Sequence, residues 1–288
     1  MLSEKCKRDI LKMQIEELTE YHIYAAISKR MKNNKNAAII TQIGNEEQHH
    51  AQIWKNYTQL DVKPNLLKIN WYALLNRIFG FTFTIKLMEK GENKANISYK
   101  EIAKEAPEAY KIASEELNHE EALIKMLNEE RLQYVGSMVL GLNDALVELT
   151  GTLAGLTFAL KNSKLIALSG LITGISATLS MMSSEYLSSR SDGGLHPFKS
   201  AGYTGVMYVV AVTLMTLPYI LLSNYLLAFG VLLVTVVLII LVFTYYVSVA
   251  KDLPFKQRFL EMVSISMSVA LISFLIGTLV KQFLGISV

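Results

Sequence analysis

A single cysteine, Cys6, stands in the 288 residues, so no intrachain disulfide can form and the segment around it is expected in a reducing compartment. No tract of Lys and Arg runs along the chain as phosphate binding would need, and a net charge of +3 carries no strong sign. Nucleic acid is therefore not expected as a partner. The opening residues, MLSEKCKRDILKMQIEELTE, hold no apolar core of signal-peptide length. The most telling absence lies further on, where Lys and Arg disappear from five long stretches of the second half.

Most of the charged residues precede Tyr134, although the whole chain has a mean hydropathy of +0.30. That contrast sets a domain boundary near 132, with one domain at 1–132 and another at 133–288. The second half reads as five membrane spans, Val135–Leu160, Leu165–Ser189, Ala201–Leu222, Tyr225–Ala250 and Met262–Val280, each free of Lys and Arg. With the N-terminus inside, the inner flanks hold Arg131, Arg190, Lys199, Lys251, Lys256 and Arg258, against Lys161, Lys164 and Lys281 outside. The excess favours a cytoplasmic N-terminal domain. Pro218 in the third span marks a kink.

Two acids sit well inside the first span, Asp144 and Glu148. Helical spacing puts Ser137, Gly141, Asp144, Glu148, Gly151 and Gly155 on one face. The second span repeats the pattern with Gly170, Gly174, Ala177, Met181, Glu185 and Ser188, and the two small-residue faces are expected to pack together around the acids. A charge at mid-bilayer costs roughly 2.5 kcal/mol or more unless it pairs, protonates or meets water. Hard carboxylate oxygens beside the thioether of Met181 suit a transition metal such as Fe²⁺ or Mn²⁺ better than Ca²⁺ or Mg²⁺. The plainer alternative is that Glu148 and Glu185 reach water at an interface while Met181 and Met182 merely pack.

The first half shows helical periodicity over four segments, 3–32, 36–60, 71–96 and 107–134, the outline of a four-helix bundle. On the second, Ile40, Ile43, Glu47, His50, Trp54 and Tyr57 share a stripe. The fourth repeats it with Ala109, Ile112, Glu116, His119, Leu123 and Met126. The first places Glu17 and Glu20 among Ile10, Met13, Tyr24 and Ile27, and the third places Glu89 and Glu92 after Leu75, Ile78 and Ile85. Acids on the apolar stripe of every helix, with two Glu-x-x-His pairs, form the ligand arrangement of di-iron carboxylate bundles. The pair Glu46 and His49 shares a flank with Gln42 and Ile39 and reads as solvated. His22 has no acid at helical spacing, and His196 lies in a loop.

These motifs carry two resemblances. Residues from about Cys6 to Arg131 resemble a rubrerythrin-type, ferritin-like domain, through Glu17 followed by Tyr24, EEQHHA, MEKGE and EELNHE. From about Leu132 the chain resembles the vacuolar iron transporter family, through GLNDALVELTGTLAG and SMMSSEYLSSRS, and the joined architecture is similar to membrane-bound ferritin proteins of prokaryotes. The expected fold is thus all-α, a ferritin-like four-helix bundle followed by five transmembrane helices. The resemblance implies a homodimer in a prokaryotic cell membrane that exports Fe²⁺ in exchange for protons. Its metal ligands would be Glu17, Glu47, His50, Glu89, Glu92, Glu116 and His119, holding a di-iron site that Mn²⁺ or Zn²⁺ can substitute, and its transport pathway would run through Asp144, Glu148, Met181 and Glu185. Asp144 matches the family's acid in span 1 and Met181 its methionine in span 2. Thr173 stands where some members place an acid, and only 190–200 joins spans 2 and 3, where the family carries a helical metal-binding insert. The bundle is expected to take the insert's place. The competing reading is a membrane-tethered ferroxidase or peroxidase whose spans serve as an anchor.

Overall fold

The computed structural model describes residues 2–31, 34–92, 96–126 and 133–284, the side chains at 34, 89–92, 96–98, 124, 280–282 and 284 excepted. Among the described residues every regular element is a helix. Two compact units divide the chain, Met1–Glu129 and Glu130–Val288.

The first unit contains α1 (Glu4–Ser28), α2 (Asn34–Thr58), α3 (Leu66–Phe79), α4 (Phe81–Glu92), α5 (Asn96–Ile102) and α6 (Glu108–Met126). Ser3 caps α1 by accepting from the Cys6 amide at 3.2 Å, and Asn65 caps α3 by accepting from the Lys68 amide at 3.1 Å. The third segment differs from the sequence expectation. It starts earlier, at Leu66, and breaks at Gly80, whose φ of 91° is open to glycine at little cost. The break turns Ile78 outward, to 54% exposure, while Leu75 and Ile85 stay buried. With it α3 exposes Leu67, Trp71, Leu74 and Ile78 at helical spacing. The joining segment ISYKEIAKEA is also more than a linker, since α5 lies within it and buries Tyr99 and Ile102. Residues 127–132, on which continuity of α6 into the first span depends, lie outside the described residues.

Two apolar clusters make the core of this unit. One gathers Ile10, Met13, Trp54, Tyr99, Ile102 and Ile112; the other gathers Ile23, Tyr24, Ile27, Ile43, Ile85 and Leu123. Along α1, α2 and α6 the acids and histidines fall between them, one polar layer between two dry ones.

The second unit has five helices long and apolar enough to cross a membrane: α7 (Val135–Leu160), α8 (Ser163–Ser191), α9 (Pro197–Leu221), α10 (Tyr225–Ala250) and α11 (Phe255–Leu284). Asn162 and Asn224 cap α8 and α10 through two backbone amides each, and Pro197 starts α9, so the turns are short and sharp. The small-residue stripes of α7 and α8 meet only in part, where Ser137 donates to Glu185 and Gly170 receives Leu153 of α7. Gly141 abuts the Thr204 backbone of α9, Gly151 and Gly155 meet Ser273 and Gly277 of α11, and Gly174 receives Val212 of α9. The third and fifth helices take up most of the other close approaches, because each glycine serves the neighbour whose backbone or branched side chain comes nearest.

A Cβ at 141 would run into the Thr204 carbonyl, which is backbone and cannot swing aside. Gly141→Ala is expected to cost about 1–3 kcal/mol through overpacking. Thermal unfolding of the full chain in detergent checks this, with Gly202→Ala, whose Cβ meets nothing within 4 Å, as the neutral control.

Candidate metal centre

Four side chains of the first unit converge. One ligand atom each from Glu17, Glu47, His50 and Glu116 lies within 4.8 Å of all the others. Helical spacing explains the meeting: Glu47 and His50 are one turn apart on α2, Glu116 and His119 repeat that turn on α6, and α1 lays Glu17 against them. Glu47 and Glu116 each face both histidines. Glu47 presents Oε2 to His50 Nδ1 at 3.4 Å and Oε1 to His119 Nδ1 at 3.2 Å. Glu116 presents Oε1 to His50 Nδ1 at 3.1 Å and Oε2 to His119 Nδ1 at 3.5 Å. A carboxylate whose two oxygens address two imidazoles has the disposition of a bridge between two cations.

Glu17 completes the His50 side, its Oε2 3.6 Å from Nδ1. Its other oxygen accepts from the Tyr99 hydroxyl at 2.8 Å and the Trp54 indole at 3.3 Å, so the carboxylate is fixed in rotation. Glu20, also buried, has the Lys68 ammonium 3.4 Å away. The Glu89 and Glu92 side chains lie outside the described residues.

Buried polar atoms are nearly always satisfied, yet Glu47 Oε2, His50 Nδ1 and Glu116 Oε1 have no hydrogen-bond partner. Three unsatisfied donor atoms aimed at one space, in a set of carboxylates and imidazoles, fit a divalent transition metal. The charges point the same way. Burial raises Glu47 and Glu20 well above the usual carboxylate range, in Glu47 against the pull of both histidines and in Glu20 with help from Glu47. Burial would lower the His119 imidazole, but Glu116 and Glu47 outweigh it and hold it up at about 11; His50 is raised likewise against the same penalty. Burial opposes ionisation of Glu116 too, and the two imidazoles pull it down to about 2. Without metal the centre thus keeps both imidazoles protonated at neutral pH.

Metal ligands must shed those protons. Mn²⁺ added to the metal-free protein at pH 7 in weak buffer is expected to release at least two protons per centre, those of the imidazoles together with any held by Glu47, and affinity should rise with pH through the range below about 11. A pH electrode reads the yield directly, and a yield near zero contradicts this account.

The sequence reading of Glu46 and His49 as a solvated flank holds for His49, which is exposed, but Glu46, only partly exposed, has a partner that reading missed. Glu46 Oε2 accepts from His119 Nε2 at 2.5 Å, and Glu115, which drew no notice, accepts from His50 Nε2 at 3.0 Å. Each directly precedes an acid that faces both histidines, so the repeated Glu-Glu-x-x-His was the available signal. Tyr99 carried none, because its place depends on the fold of α5.

In the second unit, Asp144 is half-buried and Glu148 exposed on the surface of the single chain. Tyr208 of α9, fully buried, donates to Glu148 Oε2 at 2.7 Å and lies within reach of Asp144. Ser137 donates to Glu185 Oε1 at 2.7 Å, and Thr204 donates to the Ser137 carbonyl at 3.0 Å. Met181 packs on the apolar core, whereas it is Met182 whose thioether rests against Gly205. Sequence spacing grouped the acids on α7 but could not show that α9 holds them.

The chain matches the model of the VIT family over residues 135–195, which span α7, α8 and the start of the following turn and include Asp144, Glu148, Met181 and Glu185. No curated protein matches it.

Proposed function

We propose that the chain exports Fe²⁺, with Mn²⁺ as the nearest substitute, from the cytoplasm in exchange for protons, and that its N-terminal bundle, ferritin-like in ligand set, receives the metal first. One observation carries the reading: a chain with five membrane-capable helices holds unsatisfied metal-ligand atoms in one unit and intramembrane carboxylates in the other. Likeness to the VIT family over the helices that bear those carboxylates supports a metal as their cargo.

In the bundle, Glu17, Glu47, His50, Glu116 and His119 would hold the metal pair, with Glu89 and Glu92 of the third segment as further ligands. Bound there, the metal neutralises acids that burial otherwise forces to stay protonated. In the membrane, Asp144 and Glu148 take up either a metal ion or a proton. One excludes the other, which is the requirement for exchange. Glu185 of α8 stands at the level of Ser137, on the N-terminal side of that pair along α7, and Met181 adds a soft donor on α8. Glu148, exposed on one chain, cannot face lipid cheaply. A second copy covering α7 makes the homodimer the natural working form, with the pathway between copies in a cell membrane and both bundles cytoplasmic.

The tethered oxidase or peroxidase draws support from Tyr99 and Trp54, two oxidisable side chains bonded to Glu17. It leaves Asp144 and Glu148 without a task, since an anchor needs no intramembrane acid. Fe²⁺ flux into proteoliposomes under an imposed proton gradient decides between them. Gradient-dependent flux supports export; absent flux for Fe²⁺ and Mn²⁺, together with peroxide or iron turnover, supports the enzyme.

A further inference from the structure

The two Glu-Glu-x-x-His turns share a second geometry beyond the ligands. Glu115 sits on α6 and holds the imidazole of α2, through His50 Nε2 at 3.0 Å. Glu46 sits on α2 and holds the imidazole of α6, through His119 Nε2 at 2.5 Å. Each outer acid is itself aimed. The Glu46 Oε1 atom accepts from Gln42 at 2.9 Å, and the Glu115 Oε1 atom meets the Lys111 ammonium at 3.5 Å, in both cases a residue four positions earlier on the same helix. Two helices thus carry the same device, and each device acts on the opposite helix.

A carboxylate can only accept from the imidazole, so its partner Nε2 keeps its hydrogen, and the proton shed on metal binding leaves the lone pair on Nδ1. Nδ1 is the atom that faces Glu47 and Glu116 on both sides, and in His50, with 1% of its surface exposed, it has no hydrogen-bond partner. Resting on the metal-centre reading, we infer that Glu46 and Glu115 are crossed positioning residues. They lock both imidazoles with Nδ1 toward the metal, so that each metal position depends on an acid from the helix that does not supply its histidine.

The test is a Co²⁺ titration of the metal-stripped full-length chain in detergent micelles, read by visible absorption, with circular dichroism to follow helicity. Glu115→Ala and Glu46→Ala are expected to weaken Co²⁺ binding about 10–100-fold and to alter the absorption bands. In Glu115→Gln the amide carbonyl accepts the same hydrogen, so most of the affinity should return. A clamp that merely joined two helices would lower the melting temperature and leave the Co²⁺ spectrum alone. Both alanine variants binding within about twofold of wild type, with unaltered bands, overturns the proposal. His50→Ala separates the two levels: if it also binds as wild type, the metal centre itself is wrong, and if it alone loses Co²⁺, only the positioning role is. Should Glu115→Ala lose helicity, Glu46→Ala decides, since that side chain is 42% exposed and its loss leaves the core intact.

Discussion

Asp144→Ala is expected to reduce Fe²⁺ flux at least about 100-fold, the equivalent of ~2.8 kcal/mol, while leaving the metal content of the N-terminal unit unchanged. The side chain is half-buried on α7, with Glu148 one turn along and the Tyr208 hydroxyl within reach. On the proposed pathway, removing it takes away a hard anionic oxygen donor with no Lys or Arg in the span to rebalance the site. The protein should still fold, because an acid removed from hydrocarbon relieves a cost of roughly 2.5 kcal/mol or more instead of adding one. Asp144→Asn keeps the volume and one oxygen but cannot exchange a proton. It should show the same loss of gradient-driven flux with weak residual binding. Wild-type flux in either variant would remove Asp144 from the pathway.

On the proposed metal pair, Glu47→Ala should empty the N-terminal unit of both metals together, from about two per chain to near none. The reason is geometric: its oxygens address both imidazoles, at 3.4 and 3.2 Å, and no other acid except Glu116 does so among the described residues. Metal analysis of the purified chain measures the loss. Stability supplies a second readout. Metal that binds only the folded state raises the melting temperature, and that rise should vanish in Glu47→Ala. A normal metal complement in Glu47→Ala would exclude the bridged arrangement.

Much of this was legible because hydrophobic pattern and chemistry coincide. The apolar runs placed the five spans within a few residues, apart from the last, which starts at Phe255 because Phe255 and Phe259 extend the helix ahead of Met262. The Glu-x-x-His pairs announced themselves by standing on apolar stripes. The rest was hidden for identifiable reasons. In RIFGFTFT the apolar period runs through Gly80 without a visible fault, so the break between α3 and α4 shows only in the backbone angle. Glu46 lies on a flank by any helical wheel, and that flank gains meaning only once α6 brings His119 alongside. Tyr208 stands in a span without acids, and only the packing of α9 on α7 through Gly141 and Thr204 reveals what it touches.

The outward row on α3 has a practical side. Leu67, Trp71, Leu74 and Ile78 form a greasy strip on the unit that lies ahead of the membrane helices. A fragment cut at Met126 to obtain that unit without detergent would carry this exposed strip, and with it a tendency to self-associate or to carry amphiphile through purification. Changing Leu67 and Trp71 to polar residues would wet the strip without touching the ligands on α1, α2 and α6, and so yield a bundle suited to spectroscopy in plain buffer.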